Sequence, residues 1–232
     1  MIVGLVLPVD YFLRPKMAYY AIARELRDVT FSISRTIQRR SPVKDNGVKE
    51  SNTSPCAFAG DYGSLDVWGV NSTLSSYDFP LTLQLFSIQS GKLLSETEIR
   101  AALLPNQSTN VLDKFDISKF DFSDVVASVS YRHPISGAML RSSADWPQPL
   151  KYISFADREV EYSVNEKTIF IRAQRPTKGV ILDVERDDDE GIVWSDNGFD
   201  IMPREDLVIH AQGISGRKVV VNWYGEKEGC RD

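Results

Sequence analysis

The sequence predicts a mainly β fold, two consecutive β-sandwiches preceded by one remnant α-helix. Three observations carry this. Only one segment, at the start, has helical apolar spacing. Beyond that segment the chain is mostly short alternating strands with turn signals about every eight to twelve residues, the spacing of sandwich folds. A Pro-punctuated stretch, Asp145-Trp146-Pro147-Gln148-Pro149-Leu150-Lys151-Tyr152, separates two strand series.

The helix is read over Pro15 to Arg27. Pro15 suits a first helical turn, and Ala-rich helix formers come after it. Ala18, Ile22 and Leu26 recur every four residues with Tyr19 beside them, so one face is apolar and must pack on something. The stripe is expected to dock on the first sandwich or to stay partly exposed. Val29 to Ser34 then alternates as a half-buried strand does. Residues 39–64 are polar and long for a loop within a compact domain.

Leu65 to Asn71 is the next strand, and Leu81 to Phe86 alternates cleanly. Gln89-Ser90-Gly91-Lys92 turns that strand back into Leu93 to Ala101. Thr109 to Leu112 resumes the pattern after Leu104-Pro105-Asn106-Gln107. Val125 to Tyr131, the turn His133 to Gly137 and Ala138 to Ser142 make a further hairpin. Beyond the junction come Val160 to Val164, Thr168 to Ala173, Gly179 to Val184, Ile192 to Ser195, Asp206 to His210 and Lys218 to Trp223. Asp196-Asn197-Gly198-Phe199-Asp200 reads as a turn tolerant of left-handed geometry.

The chain has 232 residues, enough for one large or two modest domains. Its 42% hydrophobic and 25% charged content is that of an ordinary globular protein. A net charge of −5 argues against nucleic acid as a partner, and Arg39-Arg40 is too short a basic spot to reverse that. No apolar run is long enough to span a bilayer, so no membrane partner is expected. Met1 to Val9 is apolar but lacks a basic lead and a cleavage site, which predicts a buried strand or coil end rather than a leader and favours a cytoplasmic location, with secretion the alternative if the true N-terminus lies upstream. Cys56 and Cys230 read as unlinked thiols. Asn52, Asn71 and Asn106 head N-glycosylation sequons, used only if the chain is exported.

Chemistry-bearing patterns are sparse. Neither histidine, His133 in a turn or His210 at the end of an edge-like strand, has a nucleophile in a triad pattern, and both are expected at a surface or interface. No Cys/His cluster of zinc type occurs, and Asp187-Asp188-Asp189-Glu190-Gly191 lacks calcium-loop spacing and reads as a solvated hairpin tip. No Asp or Glu lies in an apolar context suited to glycoside hydrolysis. No catalytic residue, metal ligand or cofactor is therefore assigned. Of the four tryptophans, Trp68 and Trp194 lie in strands and are expected in the core; Trp223 ends a strand. Trp146, in the junction, is the candidate for sugar or interdomain contact.

Several segments taken in order resemble one family. Asp10-Tyr11-Phe12-Leu13-Arg14-Pro15-Lys16 leading into Tyr19 to Leu26 resembles the closing helix of the catalytic barrel in family 2 glycoside hydrolases, fungal β-mannosidases above all. Asp66 to Thr73 followed by Leu85 to Lys92 resembles the Ig/CBM-like domain after that barrel, and Trp146 to Tyr152 resembles its closing motif. Trp194 to Pro203 resembles a turn of the C-terminal Ig-like domain. The resemblance implies immunoglobulin-like sandwiches: a barrel-helix remnant at 1–29, an Ig/CBM-like sandwich at 30–154, a C-terminal Ig-like sandwich at 155–226 and a tail at 227–232. It implies the accessory region of a retaining enzyme that removes terminal β-D-mannose. The implied partners are a catalytic barrel, upstream or in trans, and, through the parent enzyme, a β-mannoside or mannan-type carbohydrate. The two barrel glutamates of the family have no counterpart in residues 1–14, so the chain is expected to be inactive alone. A stand-alone carbohydrate-binding module and a generic Ig-like interaction domain are the alternatives.

Overall fold

The computed structural model describes residues 8–10, 14–38, 62–141, 144–185 and 191–225. Arg39-Arg40, Asn52, Cys56, the acidic run 187–190, Cys230 and nearly all of the opening apolar segment lie outside them. The chain divides into two compact units, residues 31–156 and residues 1–30 with 157–232.

The unit of residues 31–156 is built on two antiparallel sheets. One has strand order β1-β2-β5, from β1 (Val29–Gln38), β2 (Tyr62–Asn71) and β5 (Gln107–Asp116). The other has order β4-β3-β6-β7, from β3 (Tyr77–Ser87), β4 (Leu93–Leu103), β6 (Val125–Arg132) and β7 (Met139–Arg141). Alternation aims Leu81, Leu83 and Leu85 of β3 and Leu65 and Val67 of β2 inward, all at most 1% exposed. Phe31 and Tyr131 meet edge to face at 4.7 Å between the sheets. Gly69 belongs to this layer because a Cβ there would fall 2.7 Å from Leu103 Cδ2 and 2.9 Å from Phe31 Cε1.

One buried ion pair ties the two sheets together. Arg35 on β1 donates from Nε to Asp145 Oδ2 at 2.7 Å and from Nη2 to the Val125 carbonyl at 2.7 Å. Asp145 in turn exchanges backbone hydrogen bonds with Ala127 on β6. The side chains are 7% and 15% exposed, so the charges are largely withdrawn from water and need one another.

The second unit carries β8 (Val160–Val164), β9 (Thr168–Ala173), β11 (Val193–Trp194) and β13 (Leu207–Gln212) in the order β11-β13-β9-β8. Facing them is a sheet of order β12-β10-β14, from β10 (Thr177–Val184), β12 (Phe199–Ile201) and β14 (Val219–Asn222). Ile169, Ile171 and Ile209 from the first sheet and Val180, Leu182, Phe199, Ile201 and Val221 from the second share one core, which makes this a sandwich. Among the described residues the fold is thus mainly β, two immunoglobulin-like sandwiches and one α-helix, as the strand pattern predicts. Phe199–Ile201 is a strand, not the end of a turn. His210 is not on an edge either, since β13 lies between β11 and β9.

The helix α1 runs over Met17–Glu25. Pro15 is not in its first turn: it forms an antiparallel bridge with Val9, and the Lys16 N–H donates to the Pro8 carbonyl at 2.9 Å. That extended pairing delays the helix to Met17.

Candidate functional site

The helix is seated on the C-terminal sandwich by the face opposite to its apolar stripe. At about 100° per residue, Met17, Tyr20 and Arg24 share one side, and Ala18, Ile22 and Leu26 lie roughly across from them. Tyr20 is 4% exposed. Arg24 reaches the turn between β11 and β12: Nη1 pairs with Asp196 Oδ1 and donates to the Asn197 carbonyl at 3.1 Å, and Nη2 donates to the Gly198 carbonyl at 2.8 Å. Gly198 has φ +63°, and a Cβ on it would sit 2.9 Å from the Met17 sulfur.

The socket is itself rigid. Asn197, 1% exposed, donates from Nδ2 to the Leu182 carbonyl and accepts the Leu182 and Gly198 N–H groups on Oδ1, each at 2.8 Å. Its amide thus supplies the pairing that a strand residue would give β10. The Trp194 to Pro203 segment therefore has a physical role: Asn197 fixes the turn and Asp196 with two carbonyls captures a guanidinium. Burial, then the Asp196 carboxylate and Tyr19, raises the Tyr20 phenol above its ordinary value.

Because docking uses the side of Met17, Tyr20 and Arg24, Tyr19, Ile22 and Leu26 are 44%, 48% and 78% exposed. Of the two expected outcomes, partial exposure is the one found. The helix packs with residues of the C-terminal sandwich instead of the first.

The tryptophans exchange roles. Trp146 is 3% exposed and packs 6.2 Å from the Phe155 ring, so its face is covered and it offers no sugar platform. Trp68, expected in the core, is 40% exposed. Leu65, Val67, Gly69 and Asn71 take the inward positions of β2, so Trp68 faces outward. Trp194 and Trp223 pack partly buried against the C-terminal core.

Asn71 is 1% exposed and saturated. Nδ2 donates to the Ser75 and Leu104 carbonyls, and Oδ1 accepts the Thr73 N–H and hydroxyl. It is a loop anchor with no amide free for a glycan. Asn106, at the β4–β5 turn with φ +48°, is exposed. His133 is buried at 7%, contrary to expectation, because its Nδ1 accepts the Ser136 N–H at 3.2 Å inside the turn. His210 is exposed. Among the described residues no group of three His, Cys, Asp or Glu is placed to hold a metal, and no helix is long and apolar enough to cross a membrane.

The described residues thus form a pair of Ig-like sandwiches, the second holding a short helix. Residues 63–152 match the family model of the Mannosidase Ig/CBM-like domain. The chain is 29% identical over 213 residues to β-mannosidase B of Emericella nidulans and 29% identical over 214 residues to that of Aspergillus niger. Each match takes in 89% of this chain and 23% of the relative, so the chain spans about a quarter of the length of these relatives. The β-D-mannosidase of Dictyoglomus thermophilum superposes with a TM-score of 0.65 at 19% identity, over 93% of this chain and 24% of that one. An exo-chitosanase of Amycolatopsis orientalis does so with a TM-score of 0.58 at 11% identity, over 94% and 28%. These structural likenesses show the fold.

Proposed function

We propose that this chain is the non-catalytic C-terminal accessory region of a β-mannosidase, the parent reaction being hydrolysis of terminal non-reducing β-D-mannose residues in β-D-mannosides. The observation that carries the reading is the match of 89% of the chain to 23% of β-mannosidase B. On this reading residues 30–154 are the Ig/CBM-like domain, 155–226 the C-terminal Ig-like domain and 1–29 the remnant of the barrel's closing helix. The partner is then the catalytic barrel, and the carbohydrate reaches this region through the parent enzyme.

Two features support it. Three half-buried carboxylates and one buried one hold structure: Asp145 binds Arg35, Asp196 binds Arg24, Asp124 accepts the Ser87 hydroxyl and the Gln89 N–H, and Glu205 accepts the Met202 N–H. Such carboxylates, satisfied by cations and amides, do not make the acid and nucleophile of a retaining glycosidase. The outward stripe of α1, with Leu26 at 78% exposure, is the kind of apolar surface that further polypeptide covers. A nine-residue helix face is far smaller than the ~800 Å² per partner of a stable binary interface, so it suits a domain already tethered to the same chain.

The test has two arms. Purified chain is expected to release no nitrophenol from p-nitrophenyl β-D-mannoside; turnover abolished by one Asp or Glu substitution would overturn the proposal. Grafted in place of the matching quarter of Emericella nidulans β-mannosidase B, the chain is expected to support hydrolysis. Soluble but inactive grafts count against it.

A further inference from the structure

We infer that the outer face of the β1-β2-β5 sheet around Trp68 is a binding site for a neutral hexopyranose chain. The site belongs to the first sandwich and is independent of the helix socket. β2 is the central strand of that sheet, so an outward side chain in its middle has a strand on either side. That side chain is the indole of Trp68, 40% exposed.

Around it the sheet carries short polar side chains. Asn110 lies directly across on β5, and Ser108 lies across from Val70 on the same face. Asp66 precedes Trp68 by two residues and points the same way, about 6.6 Å along the strand. On β1, Phe31 and Arg35 face inward, so Ser32, Ser34 and Thr36 face outward, and all three are exposed. None of these neighbours is bulky enough to lid the indole.

Two of the polar groups are held in place by the backbone. Asn110 Oδ1 accepts the Leu112 N–H at 3.1 Å, which orients the amide with Nδ2 as a donor. Asp66 Oδ1 accepts the Lys114 N–H at 2.8 Å, leaving the second carboxylate oxygen as an acceptor for hydroxyls. The ensemble is one large apolar ring with a few fixed donors and acceptors about one sugar width away. A pyranose presents the complement: an axial C–H face for the ring and equatorial hydroxyls for the rim. A flat apolar protein surface does not need such a rim, and with an acidic group beside the ring an anionic ligand is disfavoured.

The open, flat geometry limits contact to one face of the sugar, so dissociation constants in the high micromolar to millimolar range are expected, on the order of −4 to −5 kcal/mol. The experiment monitors tryptophan fluorescence and amide chemical shifts of the full chain titrated with β-1,4-mannohexaose, with cellohexaose in parallel. The expected result is a saturable shift centred on Trp68, Asp66 and Asn110, lost in Trp68→Ala and weakened about three- to tenfold in Asn110→Ala. Trp68 is half exposed, so Trp68→Ala is expected to keep the wild-type thermal midpoint, which is measured alongside. Three results overturn the inference: no saturable response up to about 5 mM sugar, binding unchanged in Trp68→Ala, or a self-association that Trp68→Ala abolishes, which would make the face a contact between copies.

Discussion

Truncating Arg35 is the sharpest test of how the first sandwich is held. Arg35→Ala removes a guanidinium whose side chain is 7% exposed and takes the Nε donor away from the Asp145 carboxylate, itself 15% exposed. Bonds to the Val125 carbonyl at 2.7 Å and the Phe122 carbonyl at 3.3 Å go with it. Breaking one side of a buried pair costs about 3–5 kcal/mol, more than the pair's net worth, because the remaining charge stays desolvated. For a domain of roughly 100–150 residues this corresponds to a fall of about 10–20 °C in the melting midpoint. The assay is thermal unfolding of the full chain by circular dichroism, with hydrogen exchange at the β6 amides to locate the loss. Exchange at Val126 and Val129 is expected to quicken, since both sit on the strand that Asp145 joins through Ala127. Arg35→Lys keeps the charge but not the fork that reaches Asp145 and Val125 together, so an intermediate fall is expected. A shift under about 3 °C for Arg35→Ala would refute the claim that this pair clamps the two sheets.

Two further predictions concern the helix socket. Gly198→Ala puts a Cβ at φ +63° against the Met17 sulfur; the sulfur can swing away but the backbone strain stays, so a loss of about 1–2 kcal/mol in chemical denaturation is expected, with Gly198→Asn milder. The Tyr20 phenol is raised, so the folded state holds its proton more tightly than the unfolded state does. That contribution is fully present below the ordinary tyrosine value of 10.0 and is lost as pH rises through the raised folded value. Urea midpoints measured from about pH 8.5 to 11.5 should therefore fall more steeply for wild type than for Tyr20→Phe, and parallel curves would contradict the burial argument.

Strands were legible where alternation ran long. Leu81, Leu83 and Leu85 announce a half-buried strand by period alone, and β3 is one. The three-residue β12 was hidden because its Phe199-Asp200-Ile201 comes directly after Asp196-Asn197-Gly198, whose composition signals a turn, and three residues carry too little period to compete. The candidate aromatics were misassigned for a related reason. A strand places a tryptophan on one of two faces, and the parity of a single residue does not reveal which face meets the core. Trp68 is outward because its neighbours Val67 and Gly69 take the inward positions, while Trp146 is buried beside Phe155 although two prolines closely follow it.

The amino-acid sequence by itself determined the class of fold, the amphipathic helix and the resemblance to β-mannosidases, because strand period, helical period and ordered motifs are local properties of the chain. Only the tertiary structure decided which side of the helix is held. Local apolar spacing named Ile22 and Leu26 as the packing face. Arg24, 172 residues from Asp196, found instead a carboxylate and two carbonyls fixed by Asn197, and that long-range capture turned the apolar stripe outward.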